Sequence, residues 1–93
     1  MKHEIILTGQ FRKDIKSAKK QGKDLNKLYH VIEILSDGEE LEEKYHDHLL
    51  SGNYEGLREC HIEPDWLLIY TYKNDILVLI LNRFGSYSEL FKK

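Results

Sequence analysis

The chain has 93 residues, of which 41% are hydrophobic and 32% charged, with six glycines and one proline. This balance excludes a disordered or fibrous chain, and the length predicts one domain over residues 1–93. The 14 basic and 16 acidic residues give a net charge of −2, and there is a single cysteine. No apolar run approaches the ~20 residues of a membrane-spanning helix, so we expect a cytoplasmic protein without disulfides.

The first part of the chain predicts a strand and then a helix. Residues 3–7 have the composition of a short strand, and Thr8 can end it and begin a helix over residues 10–20. Gly22 suits the position after that helix, because glycine adopts a left-handed conformation without a Cβ clash. The apolar residues of the helix recur at helical spacing: Phe11, Ile15 and Ala18.

A second helix is predicted to follow, with Asp24 as its N-cap and residues 36–38 as its end. Its apolar residues are again at helical spacing: Leu25, Leu28, Ile32 and Leu35. Both apolar stripes are too narrow to form a core alone, so the helical hairpin must pack on another layer.

The second half of the chain predicts that layer. An acidic and then histidine-rich loop over residues 39–53 precedes three strands, at 56–62, 66–73 and 76–83, which short turns join as antiparallel hairpins. Residues 86–91 are expected to add a helical turn. The fold class is therefore α+β, in the order β-α-α-β-β-β, with a helical hairpin on one face of a mostly antiparallel sheet.

Charge is strongly separated along the chain. Residues 12–27 hold seven basic and two acidic side chains, whereas residues 33–47 hold seven acidic side chains and only Lys44. The basic helix predicts a surface for phosphates, with Lys16 and Lys20 as candidate RNA contacts. Two solvated helix faces remain the simpler alternative.

Several polar clusters of the second half suit acid–base chemistry on a phosphodiester. Histidine titrates near neutrality, an aspartate orients it or accepts a proton, and arginine neutralises charge on a pentavalent phosphate. Aromatic residues can stack on splayed bases. The clusters are 46–48 (HDH), 60–61 (CH), 64–66 (PDW) and the segment from Arg83 to Phe91.

Alternation along the strands predicts which side chains share a face. Trp66, Leu68, Tyr70 and Tyr72 should lie on one face of their strand, with Leu67, Ile69 and Thr71 on the other. Arg83 has the parity of Leu77, Leu79 and Leu81, so an apolar strand face is expected to end in a guanidinium that needs a partner, for which phosphate is suitable.

Simpler interpretations of these residues remain open. His46 and His48 can be ordinary exposed loop residues, and Trp66, Tyr70 and Tyr72 can be aromatic residues that pack the sheet. A zinc site formed by His46, His48, Cys60 and His61 is a further alternative. Its spacing is poor, because neighbouring strand residues such as Cys60 and His61 point to opposite faces.

Three segments together resemble a known family. They are residues 46–52 (HDHLLSG), 54–70 (YEGLRECHIEPDWLLIY) and 83–91 (RFGSYSELF). They closely resemble the YafQ branch of the RelE superfamily of type II toxins, and the lysine-rich helix after Gly9-Gln10-Phe11 is also similar.

This resemblance implies a ribosome-dependent endoribonuclease that cuts messenger RNA in the ribosomal A site. The family reaction is a metal-free attack of the ribose 2′-OH on the adjacent phosphate, so no cofactor is expected. The implied partner is an antitoxin of the DinJ or RelB type, in a heterotetramer. The residues that match family positions are His48, His61 and Asp65 as catalytic groups, Arg83 for transition-state charge, and Trp66 and Phe91 as functional aromatics; Arg58 is expected to contact RNA.

One position departs from the family pattern. Tyr87 stands where YafQ-like proteins usually have a histidine, and a phenol with an ordinary pKa near 10 is a poor base at pH 7. It can still donate a proton or align the 2′-OH, and RelE has a similar C-terminal tyrosine, so Tyr87 is included in the catalytic set.

Two other functions remain as alternatives. The departure at Tyr87 motivates a weakly active or inactive toxin-fold protein that mainly binds the antitoxin and co-represses its operon. A gyrase poison of the related ParE branch is disfavoured, because that branch would not need this set of histidines and aspartate.

Overall fold

The structure is a computed structural model that describes residues 2–73 and 78–91. Its strands and helices follow the predicted order closely. In chain order they are β1 (Glu4–Leu7), α1 (Gly9–Lys20), α2 (Leu25–Ser36), β2 (His48–Leu49), β3 (Arg58–Glu63), β4 (Trp66–Lys73), β5 (Val78–Ser86) and α3 (Tyr87–Leu90).

The five strands form one sheet in the order β1-β5-β4-β3-β2. The first strand pairs in parallel with the last, and all other neighbours are antiparallel. The α+β class, with a helical hairpin packed on a mostly antiparallel sheet and a short C-terminal helix, is therefore confirmed. The strand at the far edge, β2, was not predicted, because two residues are too few to show an alternating pattern.

The predicted caps set the limits of the helices. The Thr8 side chain accepts a hydrogen bond from the backbone N–H of Phe11, and the Asp24 side chain accepts one from Asn26. Gly22 follows α1 with a φ of 76°, which is the left-handed conformation that its position requires. These contacts explain why two short helices form with a turn of only a few residues between them.

The main core lies between the helical hairpin and one face of the sheet. It joins Phe11 and Ala18 of α1 and Leu28 of α2 to the sheet residues Leu68 and Tyr70. The predicted alternation in β4 is confirmed, because Trp66, Leu68, Tyr70 and Tyr72 pack on the helices. Leu67 and Ile69 instead pack with Leu90 in a second, smaller cluster on the opposite face.

An extra residue in β5 reverses its alternation. Leu81 pairs with Tyr70 and Arg83 pairs with Ile69, so Asn82 is inserted between two adjacent rows of the ladder. Arg83 therefore points away from Leu79 and Leu81, and the prediction that it shares their face is wrong. Leu77, the third residue of that predicted face, and Ile76, the predicted start of the strand, lie outside the described residues.

Within residues 2–73 and 78–91, no helix is both long enough and apolar enough to cross a lipid bilayer.

Candidate active site

The sheet surface opposite α1 and α2 collects several of the predicted site residues. We call this surface the distal face and define it by Glu59, His61, Leu67, Ile69 and Arg83. Glu59 and Arg83 both pair with Ile69, and His61 pairs with Leu67, so these side chains project to the same side. Because one strand lies between them, the imidazole-bearing strand and the guanidinium-bearing strand are about 10 Å apart.

Two imidazoles meet one buried carboxylate on this face. The Nε2 atoms of His48 and His61 lie 3.3 Å and 3.5 Å from the same oxygen, Oε1 of Glu59. Glu59 is only 5% exposed. One buried carboxylate oxygen therefore holds both imidazoles at fixed positions on the distal face.

Backbone geometry orients His48. Its Nδ1 lies 2.7 Å from the carbonyl oxygen of His46, and since a carbonyl only accepts, Nδ1 carries the proton and Nε2 is left facing Glu59. His46 itself has a left-handed backbone with a φ of 50°, which is uncommon for a non-glycine residue. Its ring centroid is 5.5 Å from that of His61. Three imidazoles are thus gathered at one end of the distal face.

Asp65 and Tyr87 meet at the start of α3. The backbone N–H of Tyr87 donates to Oδ1 of Asp65 at 3.3 Å. Ser86 caps the helix by accepting from the backbone of Glu89, whose side chain in turn accepts from the backbone of Ser86. The predicted helical turn therefore forms, and Asp65 ties it to the turn between β3 and β4.

Three aromatic rings pack beside this helix. The Tyr87 ring is 5.0 Å from that of Phe91, which is 5.3 Å from that of Tyr54. The Tyr54 hydroxyl donates to the carbonyl of Leu90 at 2.9 Å. Tyr87 is 61% exposed, so its phenol is accessible to a substrate.

Arg83 has an internal partner. Its Nε and Nη2 atoms donate to Asp14 at 2.9 Å and 3.3 Å, and Asp14 also accepts from the backbone N–H of Phe84 at 2.9 Å. The hydrogen bond to Asp14 raises the pKa of the guanidinium above its ordinary value, against the opposing effect of burial. The expected need for a charge partner is met by this carboxylate, which ties the guanidinium to α1 at the edge of β5.

Two predicted RNA contacts lie elsewhere. Trp66 is 8% exposed in the main core, and the ammonium of Lys23 lies 4.2 Å from its ring centroid, so the indole packs the core and offers no open face for a base. Arg58 pairs across the ladder with Tyr70, which places it on the helix side, where it donates to Asp47 at 3.0 Å. That bond raises the pKa of Arg58. Lys16 and Lys20 are exposed on α1, as expected.

The residues of the zinc alternative are divided between the two faces. Cys60 is fully buried in the main core, while His61 lies on the distal face. Burial raises the pKa of the Cys60 thiol, and the nearby charges of Asp47 and Glu59 raise it further, so the thiolate that a metal would need is disfavoured. In the described part of the chain, no group of three or more histidine, cysteine or carboxylate side chains is arranged to hold a metal ion.

Glu59 and Asp14 were not among the predicted site residues. Glu59 lies two residues before His61 in a strand, and this spacing, which places both on one face, was the available signal. Asp14 interrupts the basic run of α1 and lies near its apolar stripe, but its partners Arg83 and Phe84 are about 70 residues further along the chain.

Comparison with known proteins identifies the family. Residues 3–92 match the family model described as "Bacterial toxin of type II toxin-antitoxin system, YafQ". The chain is 38% identical over 92 residues to the mRNA interferase toxin YafQ of Escherichia coli K12, with 98% of each chain covered.

Solved structures show the same fold. The crystal structure of YafQ from E. coli BL21(DE3) superposes with a TM-score of 0.89 at 39% identity, over 96% of this chain and 98% of that one. The toxin of the E. coli DinJ–YafQ complex superposes with a TM-score of 0.88 at 38% identity, over 98% of this chain and 99% of that one. The chain therefore belongs to the YafQ family of bacterial toxins of type II toxin–antitoxin systems.

Proposed function

We propose that this toxin is an endoribonuclease that cleaves messenger RNA on the ribosome by a metal-free attack of the ribose 2′-OH on the adjacent phosphate. The E. coli relative is named an mRNA interferase. The observation that carries the proposal is the shared contact of His48 and His61 with the buried carboxylate of Glu59, on the face that also presents Arg83.

These groups supply what the reaction needs. His61 or Asp65 takes the proton of the 2′-OH, whose oxygen then forms a bond to phosphorus. The bond between phosphorus and the 5′-oxygen breaks, and His48 or Tyr87 protonates that oxygen. Arg83 neutralises the charge of the pentavalent phosphate, and the products are a 2′,3′-cyclic phosphate and a free 5′-OH.

Glu59 acts on the histidines rather than on the substrate. Its carboxylate faces the Nε2 atoms of both imidazoles, and its burial fixes where both rings stand. We assign it as a positioning residue. Phe91 and Tyr54 form the wall beside Tyr87 and limit where a nucleotide can sit.

The ribosome supplies binding that the toxin itself provides weakly. A net charge of −2 gives little general attraction to RNA, but the exposed basic residues of α1, including Lys16 and Lys20, form a local surface suited to ribosomal RNA. The proposed partner in the resting state is an antitoxin of the DinJ type, by analogy with the E. coli complex, and the heterotetramer stays a prediction.

Mapping of 5′ ends on translated messages tests this function. We expect the toxin to create new 5′-OH ends only on translating ribosomes, and His61→Ala to lower the cleavage rate about 100-fold or more. His3→Gln, at a histidine remote from the distal face, is the matched control. Absence of new ends with the unaltered toxin would favour the antitoxin-binding module instead, and full cleavage by the His61 variant would contradict the catalytic role of His61.

A further inference from the structure

A groove of about 760 Å³ lies at the edge of the sheet next to His61. It exists because β2 pairs only with Arg58 and Glu59, so the remaining length of β3 is not covered by that strand. Its walls come from α2 on one side and from residues 44–46 on the other. The residues that matter here are Lys27, His30, Lys44, Tyr45, His46 and His61.

The groove combines positive charge with flat rings. Lys27 and His30 are one turn apart on α2, on the exposed flank of that helix, and Lys44 faces them from the other wall. Glu63 is the single carboxylate among the described residues that line it. Tyr45, His46 and His61 add aromatic rings, and Ile62 and Pro64 add apolar surface.

We propose that this groove binds the stretch of single-stranded messenger RNA that adjoins the scissile linkage. This inference rests on the proposed function, because His61 belongs to both the groove and the catalytic set. An RNA strand whose scissile phosphate lies at His61 must continue beyond that residue. The groove provides a path for it around the edge of β3 toward α2. Its volume lies within the range of about 300–1,000 Å³ that is usual for binding sites of small ligands, so it suits one or two nucleotides.

The lining favours RNA over an acidic peptide. Lysines alone attract either ligand, but aromatic rings that line a groove can stack on bases, and this combination of cations and rings is typical of single-strand nucleic-acid sites. Tyr45 is half-buried and therefore held in place, and the ammonium of Lys44 lies 5.3 Å from its ring centroid. A base and its phosphate would thus find stacking and charge at neighbouring positions.

Chemical-shift mapping with an uncleavable oligonucleotide tests the groove. The probe is a 2′-O-methyl hexa-adenylate, which lacks the attacking hydroxyl. We expect it to perturb the backbone amides of Lys27, His30, Tyr45 and His46 in the unaltered toxin. The variant Lys27→Ala/Lys44→Ala should bind the oligonucleotide about tenfold more weakly. The slope of log Kd against log salt should decrease by about 1.4, which corresponds to the loss of two phosphate contacts to a single strand. The matched control is Lys2→Ala/Lys73→Ala, which removes the same charge from exposed sites outside the groove.

Parallel assays separate the possible failures. In ribosome-dependent cleavage, the groove variant should show an increased KM with little change in kcat, while the control behaves as the unaltered toxin. Unperturbed groove amides, or equal KM values in both double variants, would overturn the groove inference and leave the nuclease in place. If the groove variant cleaves normally but loses antitoxin affinity, the occupant is an acidic peptide and the RNA inference is wrong. Absence of cleavage by the unaltered toxin overturns the proposed function and this inference with it.

Discussion

Glu59 is the residue whose environment differs most from what its type predicts. A carboxylate is rarely buried, because taking its charge out of water is costly unless partners offset the loss. Here one oxygen of Glu59 faces the imidazoles of His48 and His61, which come from different strands. Those two histidines are the partners that make the burial tolerable, and the carboxylate in turn fixes their rings.

Glu59→Gln tests this role. We expect kcat for mRNA cleavage to fall roughly 10- to 100-fold with little change in KM, because the amide keeps the shape but loses the negative charge that both imidazoles face. Single-turnover cleavage on programmed ribosomes would measure it. Glu40→Gln, at an exposed glutamate, is the control, and Glu59→Asp should retain more activity than Glu59→Gln. Equal rates for the three variants would show that the charge of Glu59 does not matter.

For single residues, the sequence predicts which residues belong to the candidate site better than it predicts which residues they contact. His48, His61, Asp65, Arg83 and Tyr87 are recognisable from the resemblance, and the structure brings the side chains of His61 and Arg83 to one face. The resemblance does not indicate that Trp66 lies in the core or that Arg58 is paired with Asp47 on the other side of the sheet. Both placements depend on long-range packing.

Among the secondary-structure elements, α1 and β5 are linked most directly to the site. Asp14 projects from α1 and accepts three hydrogen bonds from β5, two from the side chain of Arg83 and one from the backbone of Phe84. Beyond Leu81, β1 no longer pairs with β5. The Asp14 carboxylate therefore accepts the backbone hydrogen bond that a neighbouring strand would otherwise accept. The helix therefore holds both the strand and its guanidinium.

Asp14→Ala should destabilise the protein by about 2–4 kcal/mol, because it leaves a buried N–H and a partly buried guanidinium without their partner. Asp24→Ala, which removes the N-cap of α2, should cost only about 1 kcal/mol. Urea unfolding followed by circular dichroism gives both values. A cost for Asp14→Ala no greater than that for Asp24→Ala would mean that this pair contributes little to stability.

Helix and strand limits were predictable where local rules apply. Thr8, Asp24 and Gly22 act through contacts within a few residues, and the sequence contains all the information they need. The parallel pairing of β1 with β5 depends instead on how the whole chain closes, and nothing in the residues of β1 distinguishes that neighbour. The inserted Asn82 is likewise invisible to a rule of strict alternation.

Across the whole molecule, opposite charges are kept on separate surfaces. The basic residues of α1 are exposed, whereas glutamates between residues 39 and 43 line a second groove of about 540 Å³ with Asp47, Arg58 and Tyr70. Beneath this acidic surface the phenol of Tyr70 donates to Asp47, and that of Tyr72 donates to the carbonyl of Leu35 at 2.7 Å. Burial raises the pKa of both phenols, that of Tyr72 to about 12.

This arrangement predicts alkaline loss of stability. Below pH 10 both phenols are protonated in the folded and the unfolded chain, so their contribution is fully present. Between pH 10 and about 12 the unfolded chain releases its phenol protons first, and the free energy of unfolding should fall by about 1.4 kcal/mol per pH unit for each buried tyrosine.

Urea unfolding at pH 8 to 11 measures this slope. Tyr72→Phe should reduce the loss per pH unit by about a third between pH 10 and 11, where Tyr70, Tyr72 and the buried thiol of Cys60 all act. Tyr29→Phe should leave the slope unchanged, because Tyr29 is 48% exposed. A slope that Tyr72→Phe does not alter would place the alkaline sensitivity elsewhere.

The bulge at Asn82 decides which face of the sheet the end of β5 presents. The Thr8 hydroxyl donates to the backbone carbonyl of Asn82 at 2.8 Å. This contact holds the inserted residue in place, and any side chain at position 82 would permit it. If β5 instead paired without the bulge, with Asn82 opposite Ile69, the guanidinium would turn into the aliphatic layer beneath the helices, where an unpaired charge is very costly. Deletion of Asn82 would leave Arg83 opposite Ile69 on its present face, because the residue that follows Leu81 in a regular strand points away from the helices.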